Sequence, residues 1–404
     1  MLAIHNVQED GSVQINVRNE SLCDADSANE LLVRLQSLGV NNLRVRLYLS
    51  FDECKVTDWS FLCASGLVSL RIYRCRCKTS LRLLADSLPP QLENLELKHC
   101  SLDESTSAGR SLLAALQQLS HLNRLEITLC RVRNLHMIRL GNRIQHLHLD
   151  ENLVDNLDWF AEQTMTSGLT SLSLSDNNLG TYHLHQLVHV PLLRDLDVSH
   201  NEICAGGVQS LLNANLPLTR LNLQSCWLGH RGAIYVAQLI QSTPTLEYLH
   251  LGGNVWGDVG IIRIVHDGLA HSSSIQFIDL DDNNLSDEGA LALAKVVSNH
   301  SSLRGLGLSR NPKISSPGWM SLATSILRNP KLQNVKTFGN GFLEEGVDLI
   351  RLHLDVVRTD KFRRLLAEER SHLWPLLLSG ISLHTQVGYE LMFELLRLKP
   401  SIVV

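Results

Sequence analysis

The sequence lacks most of the features that announce a function. No run of about 18 apolar residues occurs, so no helix is expected to span a membrane. The first residues, "MLAIHNVQEDGS", have neither a basic start nor a long apolar core, so a secretory signal is not expected. The formal net charge is only −5, which gives no bulk attraction to nucleic acid. Nucleophile elbow, P-loop, H-E-x-x-H and dinucleotide fingerprint are all missing. The glycines of "LGGNVWGDVG" sit in a repeat loop, not in a phosphate cradle. There are nine cysteines, and the closest pair, Cys75 and Cys77, is C-x-C. Without C-x-x-C pairs a zinc site is not indicated, and an odd number of thiols suits a reducing compartment, cytosol or nucleus.

What the sequence does have is repetition. "LRDLDVSHNEI", "LTRLNLQSCWL", "LEYLHLGGNVW", "IQFIDLDDNNL", "LRGLGLSRNPKI" and "LQNVKTFGNGF" follow one another between Leu193 and Phe342. All fit L-x-x-L-x-L-x-x-N/C-x-L, the leucine-rich-repeat template. Its first position falls at Leu67, Leu92, Leu122, Ile144, Leu169, Leu193, Leu218, Leu246, Ile275, Leu303 and Leu332. Of the three inward positions in each copy, only Thr337 is not apolar. The Asn/Cys column reads Cys75, Cys100, Cys130, Asn152, Asn177, Asn201, Cys226, Asn254, Asn283, Asn311, Asn340. A twelfth, degenerate copy is expected at "FDECKV", with Cys54 in the column.

Side chains of a strand alternate between two faces. Ile278 and Leu280 should therefore point inward together, while Gln276, Phe277, Asp279 and Asp281 face solvent. A short polar side chain at Asn283 can bond backbone groups of adjoining turns that would otherwise be buried unpaired. One coil cannot bury its own apolar side, but stacked coils share a core that grows in one dimension. This accommodates 404 residues without a single oversized core.

Residues 1–66 are expected to be an N-terminal cap plus degraded repeats, with a hairpin around "QEDGS" and a helix over "DADSANELLVRLQSLG". Residues 67–346 hold about eleven repeats. From Leu218 onward their spacing settles to 28 or 29, and a glycine recurs six places after the column, at Gly207, Gly232, Gly260, Gly289 and Gly346. An inserted residue moves it to Gly318 in one copy. "SDEGALALAKVVSNHSS" reads as a helix with Ser286 as cap and Asp287 and Glu288 in its first turn. Residues 347–404 leave the template and read as a helical C-terminal cap.

With this column and the step Asp287-Glu288-Gly289-Ala290, the late block resembles the ribonuclease-inhibitor type of leucine-rich repeat. That type is also found in intracellular immune receptors and Ran GTPase-activating proteins. The resemblance implies an α/β solenoid, a horseshoe with a parallel concave sheet and convex helices. The tail resembles the C-terminal segment of algal leucine-rich-repeat proteins through Arg358, Trp374, Pro375, Leu396, Arg397 and Pro400, although Asp360-Lys361 replaces the Gly-Arg step of that family.

Two clusters bear on chemistry. His146, His148 and Asp150 alternate on one strand, and Asp176 or Asp197 could join them. Exposed strand positions are polar in any case, and eighteen histidines are scattered along the chain, so no metal is assigned. The second cluster is the candidate site. Tyr248 and Phe277 occupy one template position in successive copies; His250, Asp279, Asp281 and Asp282 lie along the same rows. Gly252, Gly253, Gly305 and Gly307 remove side chains around them. Exposed aromatics beside acids and open space suit a partner's basic or aromatic anchor. The expected function is a non-catalytic scaffold or receptor, without cofactor, that binds a protein on its concave face. The resemblance offers one alternative, a Ran-type GTPase-activating protein, with Arg71, Arg74 and Arg124 exposed on early strands.

Overall fold

The computed structural model describes most of the chain between 67 and 340, leaving out 134–142, 163–167 and positions 104 and 330. Before residue 67 it describes the strands 2–7, 13–18 and 45–50 and positions 33, 59 and 62. The expected helix at "DADSANELLVRLQSLG", the Cys54 position and the C-terminal cap with its algal-type motif therefore lie outside the described residues. The chain forms two compact units, Met1–Trp227 and Leu228–Val404.

Unit 1 opens with an antiparallel pair, β1 (Leu2–Val7) and β2 (Val13–Arg18), on either side of the predicted turn. Parallel strands follow in chain order: β3 (Val45–Ser50), β4 (Leu67–Tyr73), β5 (Asn94–Lys98), β6 (Arg124–Thr128), β7 (His146–His148), β8 (Ser171–Ser173), β9 (Asp195–Asp197) and β10 (Arg220–Asn222). Unit 2 has four parallel strands, β11 (Tyr248–His250), β12 (Phe277–Asp279), β13 (Gly305–Gly307) and β14 (Asn334–Lys336). Helices such as Gly229–Ser242 and Asp287–Val297 return the chain from one strand to the next. Every inward template position is buried except Val335, which is partly so; even Thr337 is covered. The degenerate first copy is shifted by two residues from the expected register. Leu47 and Leu49 pair with Leu70 and Ile72, and both are buried, whereas Cys54 in the column would have put Leu49 and Phe51 in those places.

The column stitches coil to coil. Asn311 Oδ1 accepts from the Asn283 and Leu285 amides at 3.1 Å, and Nδ2 donates to the carbonyls of Leu280 (3.0 Å), Leu308 and Ser309 (3.2 Å). Cysteine performs a reduced version: Cys130 Sγ accepts from the Cys100 amide at 3.3 Å and donates to the Leu97 carbonyl at 3.3 Å.

The residue just before the column is left-handed in every copy, with φ between +53° and +72°, from Arg74 (+62°) to Gly339 (+72°). This costs an ordinary L-residue about 1 kcal/mol. Most of these steps place an amide against the next coil's carbonyl, as in Arg74 N to Lys98 O (2.8 Å) and Asp282 N to Ser309 O (2.8 Å), which offsets the strain. The step also carries its side chain off the strand onto the rim.

Candidate interaction face of unit 2

The four strands of unit 2 are in register. Tyr248, Phe277, Gly305 and Asn334 form one row, and His250, Asp279, Gly307 and Lys336 the next. Phe277 therefore does stand beside Tyr248, and both are partly exposed. The space above the glycines is another matter. A β-carbon on Gly305 would strike the Phe277 ring, and one on Gly307 would strike the Asp279 carboxylate and stand 2.8 Å from Asp281 Oδ1. The glycines do not leave an open floor; they let Phe277 and Asp279 lie down across β13.

Phe277 is covered from two sides. The His250 ring lies 5.2 Å away, tilted by 43°, and Lys336 Nζ stands 5.3 Å from the Phe277 centroid. A lysine two strands away reaches this ring only because β13 carries no side chain in between. The sequence had expected that cation to come from a partner. It missed Lys336, although the signal was present: two glycines in the strand between, and a lysine in register with Gly307.

The carboxylates also differ from expectation. Asp279 is buried at 7% exposure, not turned to solvent. It takes the Asp281 amide at 2.9 Å and faces His250 Nδ1 at 3.4 Å. Burial works against its charge, but His250 and Asp281 outweigh this and hold its pKa below the usual range. Asp281 accepts from the Ser309 amide at 2.7 Å. Its pKa is pushed up to about 6, first by burial and then by the neighbouring Asp279 charge. Asp282 is exposed on the rim, its backbone left-handed at φ +54°, and so leaves the strand rows in which it was placed. Trp256 is core at 1% exposure and Trp227 is 74% exposed, as the template predicts.

The other cluster is dispersed. Asp150 is engaged by the Ser173 hydroxyl (2.5 Å) and the Ser175 amide (2.9 Å), and Asp197 by Ser199 (2.6 and 2.9 Å) and Asn222 (2.8 Å). Among the described residues no three His, Cys, Asp or Glu side chains converge as a metal site.

Two family models, both described as leucine-rich repeat, match residues 142–203, and 214–237 with 271–294. The chain is a leucine-rich-repeat protein. Its repeats are of the ribonuclease-inhibitor type: the chain is 30% identical to ribonuclease inhibitor of Mus musculus over 155 residues, 36% of this chain and 34% of the inhibitor. It is 27% identical to Tonsoku-like protein of Bos taurus over 305 residues, 61% of this chain and 22% of that protein. The chain thus spans about a third or less of the curated relatives it matches. Among solved structures, an internalin of Listeria monocytogenes superposes with a TM-score of 0.50 at 15% identity, covering 83% of this chain and 84% of that one. That likeness shows the solenoid fold alone.

This repeat type carries a second stitch that the sequence reading overlooked. Asp258 accepts from the Ser286 amide (2.9 Å), the Ser286 hydroxyl (2.6 Å) and the Gly289 amide (3.0 Å) of the following helix start. Asp287 repeats the contact on Ser315, whose amide donates at 2.7 Å. The Asp–Ser spacing recurs with the repeat period, which is the trace it leaves in the sequence.

Proposed function

We propose that this leucine-rich-repeat chain is a non-catalytic scaffold or receptor that captures a protein partner on the sheet face of unit 2. The observation that carries the reading is the Phe277 ring, held in register with Tyr248 on the sheet and capped by an exposed Lys336. A partner's arginine, lysine or aromatic–cationic pair takes the place of Lys336, with Asp281 and Asp282 at its edge. No membrane, nucleic acid or cofactor enters this reading. Thiols outside any disulfide at Cys75, Cys100, Cys130 and Cys226 support a reducing setting, cytosol or nucleus. The ribonuclease inhibitor named above is an inhibitor built of the same repeats, which supports a binding role.

The test is affinity capture read by mass spectrometry, then titration of the captured partner. Tyr248→Ala with Phe277→Ala should abolish binding while the melting curve stays in place. Lys336→Ala should strengthen binding, because the arriving cation no longer competes with it. Binding undiminished by the aromatic double change, or weakened by loss of Lys336, refutes the anchor. The same assay on Lys295→Ala with Asn299→Ala, on the helical side, is the control. The Ran-type alternative calls for an arginine poised to meet nucleotide. Arg71 is paired with Glu96 and Arg124 with Glu126, so no observation favours it. A hydrolysis assay over a panel of small GTPases tests it directly.

A further inference from the structure

One cleft in unit 1 plays no part in the reading above. It holds about 520 Å³, and every residue lining it lies between Asp176 and Trp227. Three coils build it, just beyond β8, β9 and β10. Asn178, Glu202 and Trp227 each follow the Asn/Cys column of their own coil, so they form one row along the rim. Asp176, His200 and Ser225 each precede the column on left-handed backbone and form the row beside it.

Trp227 stands out among them. Its own backbone is left-handed, at φ +57°, a conformation that suits an asparagine such as Asn284, which holds the same template position at φ +59°. The indole is 74% exposed, while the other four described tryptophans are buried. A bulky residue on strained backbone, with its ring in water, adds nothing to the packing of its coil; the ring becomes buried only when a ligand covers it. The rest of the cleft sets the sign of that ligand. Asp176 and Glu202 are exposed, and among the described residues neither carboxylate has an ion pair or a side-chain hydrogen bond. Carboxylates on the strand beside them are answered, Asp195 by Arg220 and Asp197 by Ser199 and Asn222. No lysine or arginine lines the cleft among the described residues.

We propose that this cleft takes an arginine side chain of a protein partner, its guanidinium laid on the Trp227 ring and its N–H groups met by Glu202. Charge complementarity makes the occupant a cation. The ring makes it a planar one: a guanidinium stacks one face on an indole and keeps its N–H groups in the plane, where a carboxylate accepts them. An ammonium has no plane to share between the two. Glu202 stands one coil from Trp227 in the same row, a spacing of about 4.8 Å, within reach of that plane. Asp176 is two coils away and adds attraction without a direct bond. The site does not rest on the Tyr248–Phe277 anchor.

The experiment is fluorescence anisotropy of the full chain with dye-labelled peptides of one length, in which Gly and Ser separate residues of arginine, lysine or citrulline. The arginine peptide should bind tightest. The lysine peptide, of equal charge, should bind several-fold more weakly, and the citrulline peptide, planar but neutral, about tenfold more weakly or worse. Trp227→Asn, suited to the left-handed backbone, should weaken the arginine peptide about tenfold or more, and Glu202→Gln several-fold. Asp176→Asn should have a smaller effect than Glu202→Gln. Glu288→Gln, on a helix of unit 2, is a control of equal charge change and should stay within about twofold. Each substitution is made both in the unmodified chain and in one carrying Tyr248→Ala with Phe277→Ala, so that failure of this cleft is distinct from failure of the other anchor. No binding of the arginine peptide by the double-alanine chain, lysine bound as tightly as arginine, or Trp227→Asn and Glu202→Gln no weaker than the control overturns the proposal.

Discussion

Asn311 is fully buried and serves two amides and three carbonyls, so its replacement separates accepting from donating. Asn311→Ala removes the bonds to both amides and to the Leu280 carbonyl, while the Ser309 carbonyl keeps the Asp282 amide and the Leu308 carbonyl keeps Asn340, and it should cost about 3 kcal/mol in urea unfolding. Asn311→Cys should cost clearly less, because Cys130 shows a thiol doing both jobs weakly. An alanine variant no less stable than the cysteine one would remove the column from the stability account. Asp281 makes a pH prediction. Its folded pKa of about 6 lies above the 3.8 of an ordinary aspartate, so the protonated form is favoured on folding. Its contribution is fully present below about pH 3.8 and is lost as pH rises through about 6. Asp281→Asn should therefore gain about 1 kcal/mol at pH 7, a figure discounted for partial exposure, and little at pH 4. Melting curves of the two chains at both pH values check this; equal gains at both would sink it.

At the scale of the coil, helix starts depend on the coil before them. Asp258 binds Ser286 and Gly289, so Asp258→Ala should free that helix start and cost about 2 kcal/mol, with faster amide exchange at residues 286–289. Unchanged exchange there would show the carboxylate to be ornamental. This contact also marks where sequence reading stopped. Strands and core were legible because the template fixes which side chains alternate inward, and the burial of Ile278 and Leu280 follows from it. The register of Tyr248 with Phe277 was legible for the same reason. The fate of Asp279 and Phe277 was not, because it turns on how side chains lean over glycines, and alternation says nothing of lean. Lys336 lay two strands off, beyond the neighbour-to-neighbour reach of the pattern. The rim position of Asp282 depends on a backbone φ that no residue type there demands.

At the scale of a whole unit, stability is shared between neighbouring coils. Leu280 is completely buried, and Leu280→Asp removes about 1.5–3 kcal/mol of burial and adds several more for an unpaired carboxylate. Exchange protection should fall first in β12, then in β11 and β13, or the protein should become insoluble; an unchanged melting curve would take Leu280 out of the core. The Asp–Ser stitch has a further consequence. Each carboxylate reaches forward only, Asp258 to Ser286 and Asp287 to Ser315, while each column asparagine accepts from the coil behind, as Asn283 does from Asn254. A tandem duplication of residues 258–286 would give every new carboxylate a serine ahead and every new asparagine an amide behind. The gene can lengthen by that one interval without leaving a loose bond at either junction.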